Sequence, residues 1–326
     1  MSQGVTSSKT TRMSEILKPG STTPPREWRP WIRCHDCDEI AETEANIVDG
    51  YLLDQTGTCP LCRANLDYWR VAVQMVKRNF SRLEPFFLLD AQFTMFQTKV
   101  FRDRITQFDL HAEGLPGDAL ILNVNIGGEA IFCGEAGGSD CVLRNTGGLL
   151  NIHGYQMAQS PEPRADEGRA NIFVTWVPTS PDDSAWTNLV TAFSHYVAAT
   201  YEASLIPANV AVEARLFRFL EHNLSRAAAN EAVERFLTRH ATYSHQLNVL
   251  LPLVVGHLGA PQMKEDLRGR LNRLNSLRND VAHRGRCAPP LTKDECAELV
   301  TASLFAFRYL GYLNTHGGAR APRGAS

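Results

Sequence analysis

The spacing of apolar and polar positions changes character twice along this chain, and each change marks a different kind of structure. Between residues 67 and 83, Tyr68, Val71, Met75 and Val76 recur at helical spacing, and Pro85 follows; a helix ending at that proline is predicted. From 86 to 177 the texture becomes short β-branched and aromatic runs, at 86–89, 93–100, 105–110, 119–126, 130–133, 149–153 and 172–176. Glycine turns at 114–117, Gly127–Gly128, Gly137–Gly138 and Gly147–Gly148 separate several of these runs, which predicts an antiparallel sandwich or small barrel. His111 and His153 stand singly near strand ends and read as solvated or core residues.

Helical spacing then returns. Pro181-Asp182-Asp183-Ser184 opens a helix carrying Trp186, Leu189, Val190, Phe193 and Val197 to about residue 203. A second is predicted from Pro207 to about 229, and a third from 230 to 258 with a bend or split at Pro252. A fourth runs from 261 to 284 and stops at Gly285, with Pro289-Pro290 beyond. The fifth opens on the capping box Thr292-Lys293-Asp294-Glu295 and reaches about 313. Short loops between such helices make an antiparallel bundle the expected arrangement.

A length of 326 residues exceeds one ordinary core. The pattern therefore predicts an α+β multidomain chain: a disordered tail at 1–27, a zinc-ribbon segment with its connecting helix at 28–83, a β-rich, sandwich-like part at 84–180, a helical bundle at 181–315 and a second disordered tail at 316–326. No apolar run is long enough to span a membrane, and the Ser-, Thr-, Gly- and Pro-rich start lacks the apolar core of a signal peptide, so a cytoplasmic location is expected. In that reducing compartment the eight cysteines are not expected to build a disulfide framework.

Two CxxC pairs, Cys34-His35-Asp36-Cys37 and Cys59-Pro60-Leu61-Cys62, are separated by 21 residues. Each fits a tight turn whose amides can bond thiolate sulfur, and together they complete a tetrahedral shell for one structural Zn²⁺. Four protein thiolates leave no open coordination position, so no catalytic role is expected of the metal. His35 is not needed as a ligand. Net charge is only −2, but charge is segregated: residues 34–62 hold seven acids and no Lys or Arg, whereas 261–290 hold seven bases against three acids. The first stretch would repel a phosphate backbone and the second would attract one.

On the fourth helix Leu267, Leu271, Leu274, Leu277 and Val281 form the core stripe. Counted from Leu277 at about 100° per residue, Asn279 lies near about 200° and His283 near about 240°, both away from the core, while Arg278 lies near about 100°. Arg278-Asn279-Asp280-Val281-Ala282-His283, late in one helix of a terminal bundle, resembles the Arg-polar-(x)3-His signature of HEPN domains, the higher eukaryote and prokaryote nucleotide-binding superfamily. The resemblance covers roughly residues 184–313 and leaves the zinc and β-rich parts outside it.

The resemblance implies a metal-independent endoribonuclease of a bacterial toxin or antiphage-type system, with Arg278, Asn279 and His283 as its catalytic residues. RNA would be the substrate, and the active site a composite of two copies, hence a homodimer through the bundle. The zinc and β-rich parts would then act as sensor or regulator, with a trigger ligand or protein at the β-rich part. The residue chemistry agrees: histidine suits proton transfer near neutral pH, and the planar guanidinium suits phosphate. The alternative is a non-catalytic HEPN-like dimerisation or nucleotide-binding module with a zinc-ribbon protein-interaction region. A zinc-ribbon transcription factor is disfavoured by the acidity of the zinc segment. His195, His222, His240, His245 and His257 lack a comparable Arg partner, and residues 181 onward are expected to fold alone as a helical dimer.

Overall fold

The computed structural model describes residues 31–42, 47–79, 88, 91–101, 105–127, 132–133, 148–155, 167–178 and 184–316. The expected tails at 1–27 and 317–326, most of the run 86–89 and the turn at Gly137–Gly138 lie outside them. The chain divides into two compact units, one holding the β-rich residues 92–177 and the other joining 29–91 to 178–326. No helix among the described residues is long and apolar enough to cross a membrane.

In the β-rich unit, β3 (Gln92–Phe101), β8 (Glu167–Pro178) and β5 (Ala119–Gly127) form one three-stranded sheet in the order β3-β8-β5. A second has the order β4-β7-β6, from Ile105–Asp109, Leu149–Tyr155 and Phe132–Cys133. The β3/β8, β4/β7 and β6/β7 pairs are antiparallel. Alternation sends Leu150 and Ile152 inward on β7 while Leu149 and Asn151 face out. Both sheets feed one core that includes Val100, Phe108, Leu150, Ile172, Val174 and Trp176. The Trp176 indole donates to Thr94 Oγ1 at 3.0 Å, so its buried N–H is not left unpaired. His111 is a turn residue: its ring Nδ1 lies 3.1 Å from the Leu115 carbonyl, and a Cβ at Gly148 would come within 2.7 Å of the ring. His153 pairs in register with Ile105.

The second unit begins with β1 (Trp31–Arg33) and β2 (Ile40–Glu42), followed by α1 (Ile47–Leu52) and α2 (Tyr68–Asn79). After the β-rich unit come α3 (Ser184–Val197), α4 (Tyr201–Leu224), α5 (Asn230–Arg239), α6, α7 (Glu265–Arg284) and α8 (Lys293–His316). Here α6 denotes the continuous run Tyr243–His245, Gln246–Leu250 and Leu251–His257. The expected stops are present. Gly285 adopts φ +72° and its N–H donates to the Val281 carbonyl at 2.8 Å; the Glu295 N–H donates to Thr292 Oγ1 at 3.2 Å, one half of the capping box.

Several boundaries differ from the sequence reading: the first helix of the bundle ends at Val197 and the second at Leu224, each some residues short of the expected end. The second helix starts six residues before Pro207, which sits in its second turn, and Ser204 Oγ donates to the Tyr201 carbonyl at 2.6 Å near that end. The stretch read as one helix over 230–258 is interrupted after Arg239, where Thr242 caps a new start by accepting from the His245 N–H. The effect expected of Pro252 appears just ahead of it: Gln246–Leu250 is a π-helical turn, whose wider winding accommodates a residue that has no N–H to give.

The apolar α8 is buried on nearly every side, with Cys296, Val300, Leu304 and Phe305 wholly enclosed. One wall around it comes from α1 and α2 of the cysteine-bearing segment. Phe305 meets the Tyr51 ring edge-on at 4.9 Å and the Trp69 ring at 5.5 Å. Lys264, just ahead of α7, has its Nζ 4.4 Å from the Tyr51 ring centroid, and the Arg270 guanidinium on α7 lies 4.1 Å from that of Trp69. The Tyr51 hydroxyl donates to Asp266 Oδ1 at 2.9 Å, and Lys264 also pairs with Asp54. A fragment starting at residue 181 lacks this wall, so autonomous folding is no longer expected of it. In the full chain, Phe305→Ala removes a wholly buried ring and should cost about 3–5 kcal/mol, read as a lower denaturant midpoint. A midpoint equal to wild type would show that the zinc segment and α8 do not share a core.

Candidate metal centre and the Arg278–His283 site

The two CxxC turns are built alike. In the first, β1 and β2 are the arms of an antiparallel hairpin that encloses Cys34 to Glu39, with the Asp38 N–H donating to the Cys34 carbonyl at 3.0 Å. In the second, a bridge between Thr58 and Asn65 encloses the turn, and the Arg63 N–H donates to the Cys59 carbonyl at 2.9 Å. The residue after each second cysteine has positive φ, +62° at Asp38 and +67° at Arg63. Neither is glycine, so the turn holds both in a left-handed conformation that is uncommon for side-chain-bearing residues. In each pair the first cysteine is buried and the second lies nearer solvent.

All four sulfurs lie within 4.8 Å of one another. Cys34 Sγ is 3.7 Å from Cys62 Sγ, and Cys37 Sγ is 3.9 Å from Cys59 Sγ. A tetrahedral shell with metal–sulfur bonds of about 2.3 Å has sulfur–sulfur edges of about 3.8 Å, so the cluster has the dimensions of a four-thiolate site. The Asp36 N–H points at Cys34 Sγ from 3.4 Å. At Cys59 burial is the largest influence and raises the thiol pKa. The amides of Cys62 and Leu61 and the thiols of Cys62 and Cys34 outweigh it, and the value falls to about 7. Cys37 is lowered most by the Glu39 backbone, but desolvation and hydrogen bonds with Cys62, Cys34 and Cys59 push it up to about 12. A divalent cation would bind all four as thiolates by displacing whatever protons they carry. These four residues can hold a metal ion. His35 stands outside the set, with Nε2 3.4 Å from Asp36 Oδ1.

At the other site, Arg278 Nη1 donates to Asn279 Oδ1 at 2.9 Å. Arg278 and Asn279 are half-buried; His283 is exposed one helical turn beyond Asn279 and has no hydrogen bond or ion pair to another described residue. The structure thus joins Arg278 to Asn279, with His283 four residues further along the helix and exposed. Arg278 Nε is buried and has no partner.

Much of the basic surplus at 261–290 is used internally. Lys264, Arg270, Arg273 and Arg284 pair with Asp54, Asp266, Glu295 and Asp280. Arg268, in the first turn of α7, and Arg278 and Arg286, toward and just past its end, have no carboxylate at ion-pair distance among the described residues. Sequence reading passed over Asn209, Glu213 and Tyr243, whose side chains are buried or half-buried on α4 and α6. Their signal was Asn209 and Glu213 four residues apart amid the apolar run of α4. No known family model, curated protein or solved structure matches the chain.

Proposed function

We propose that the chain is a metal-independent endoribonuclease of HEPN type, in which Arg278 and Asn279 receive the scissile phosphate and His283 transfers protons, with a structural zinc at Cys34, Cys37, Cys59 and Cys62. The observation that carries the reading is the arrangement at the end of α7: a guanidinium fixed by Asn279 one turn from an unpartnered, exposed imidazole. The reaction needs no other nucleophile. The RNA 2′-hydroxyl attacks the adjacent phosphorus, its proton passes to a neutral imidazole, and the P–O bond to the 5′-oxygen breaks as that oxygen is protonated. Arg278 would neutralise the phosphorane charge.

A second copy would supply the other imidazole, making the working enzyme a homodimer. Val249 and Leu253, one turn apart on α6, are exposed apolar residues that a second copy would cover. The β-rich unit would act as sensor or regulator of a toxin or antiphage-type effector in the cytoplasm. The non-catalytic alternative, a dimerisation or nucleotide-binding module whose zinc segment contacts proteins, draws on one observation: Arg278 turns its Nε into the interior. Incubating the purified protein with mixed-sequence single-stranded RNA in EDTA separates the two. The ribonuclease reading expects cleavage that is lost in Arg278→Ala and in His283→Ala; cleavage unchanged in both variants, or none by wild type, decides against it.

A further inference from the structure

On α7 the polar residues that lead back from His283 are asparagines. Counted from Arg268 at about 100° per residue, Asn272, Asn275, Asn279 and His283 fall within an arc of about 80°, so they share one face over about 22 Å of helix. Arg268 and the three asparagines are half-buried, and His283 is exposed. Two of the asparagines are engaged inside the protein. Asn279 accepts from Arg278, and Asn272 exchanges two amide hydrogen bonds of 3.0 Å with Asn248 of α6. Asn275, between them, has no hydrogen bond to a described residue. Asparagine is a poor helix former because its amide competes for the backbone, so this third one weakens α7 with no internal contact to offset it. The face is also free of acids. Asp280, the one acid between Arg268 and His283, stands about 100° round the helix from Asn279 and pairs with Arg284. Residues 240–263, which include α6, hold no Asp, Glu, Lys or Arg.

We propose that this face is a track for single-stranded RNA, in which Asn272 and Asn275 hydrogen-bond base edges and Arg268 holds a phosphate at the end remote from His283. The charge suits a polyanion: no acid opposes it along the face, and Arg268 has no carboxylate at ion-pair distance among the described residues. The side-chain type suits bases. An amide sets a donor beside an acceptor, the pattern that reads base edges, whereas a surface that only attracts phosphate would carry Lys or Arg at these positions. Unpaired strands expose those edges and duplex RNA does not. Asn272 keeps one N–H and one lone pair beyond its bonds to Asn248, and those bonds fix the plane of its amide. The choice of RNA rests on the ribonuclease reading, but binding to the track is measured apart from cleavage.

The test uses the full-length protein and 2′-O-methyl oligonucleotides of A, of C and of U, which bind but cannot be cut, titrated at several salt concentrations. Asn275→Ala should melt at or above wild type, since alanine is the better helix former and no internal bond is lost. It should nonetheless weaken the best-bound oligonucleotide by about 10-fold and the worst-bound hardly at all, with the salt dependence unchanged, as the loss of a base contact requires. Arg268→Ala should weaken all three alike and lower the salt slope by about 1, as the loss of a phosphate contact requires. Affinities of Asn275→Ala equal to wild type on all three, or wild type that binds none, overturn the proposal. A uniform loss on all three overturns the base-reading role, and a melting temperature well below wild type makes Asn275 a structural residue instead. Binding with the expected dependence by a protein that never cuts unmodified RNA overturns the ribonuclease reading and leaves the track. Cutting that is indifferent to both Asn275→Ala and Arg268→Ala does the reverse.

Discussion

Replacing Cys59 with serine is expected to unfold far more than one knuckle: the variant should lose its zinc, melt more than about 10 °C below wild type and express largely as aggregate. The argument begins at the sulfur. Cys59 is wholly buried, and its Sγ lies 3.9 Å from Cys37 Sγ inside the four-thiolate cluster. Serine is a poor ligand, and its hydroxyl would sit there without a metal to bind. Metal binding at such sites is folding free energy, about 10–16 kcal/mol in isolated zinc-finger peptides, whereas whole proteins are stable by about 5–15 kcal/mol. Tyr51 lies between the two knuckles in sequence and Trp69 soon after the second, and both pack on Phe305, so the loss is expected to reach α8 and α7. Cys287→Ser is the control, since Cys287 is also buried but lies outside the cluster; it should retain the metal and cost about 1–3 kcal/mol. Elemental analysis and calorimetry of the three proteins check this. A Cys59→Ser protein with one zinc per chain and a wild-type melting temperature contradicts it.

What could be read from the sequence was whatever short-range chemistry specifies. The duplicated CxxC spacing brings four sulfurs together because each turn is local and the pair of turns is short. Alternation of apolar residues marked β7 and β8, and Gly285 and Thr292 marked helix ends, since a left-handed glycine and a capping hydroxyl act within a few residues. The association of the zinc segment with α7 and α8 was not legible. Tyr51 bonds Asp266 across 215 residues, and nothing local announces such a contact. The charge segregation carried a trace of it. Acidic residues 34–62 and basic residues 261–290 were read as a repelling and an attracting surface for phosphate, yet Asp54 and Lys264 show that part of that complementarity is spent inside the protein. The break after Arg239 was hidden because helical spacing runs through it, and the wholly buried Asn209 passed as an ordinary helix position because its burial is set only by packing.

The other large effect is expected at α7, where charge and proton transfer can be separated. His283→Ala should leave RNA binding nearly intact, because an exposed imidazole contributes little to affinity, and should reduce cleavage by about 10²-fold or more, the usual worth of a positioned acid or base. Arg278→Lys keeps a positive charge but loses the planar fork and the contact from Nη1 to Asn279, so it should retain binding better than catalysis. Arg278→Ala should lose both. Affinity measured with an RNA carrying 2′-O-methyl groups, which cannot be cleaved, alongside single-turnover cleavage of the unmodified RNA, gives the two quantities separately. Equal losses of binding and cleavage in His283→Ala would place the imidazole in binding and not in proton transfer.

The most direct measurement is the chemistry of the cut ends. RNA is incubated with the full-length protein in EDTA that leaves the zinc in place, and the products are separated and their termini identified, beside an RNA with deoxyribose at the cleavage position. If the RNA's own hydroxyl is the nucleophile and the residues at the end of α7 assist it, the products carry 2′,3′-cyclic phosphate and 5′-hydroxyl ends and the deoxyribose RNA stays intact. Products with 5′-phosphate ends, cleavage of the deoxyribose RNA, or activity that EDTA abolishes would contradict the account and place the chemistry at another site.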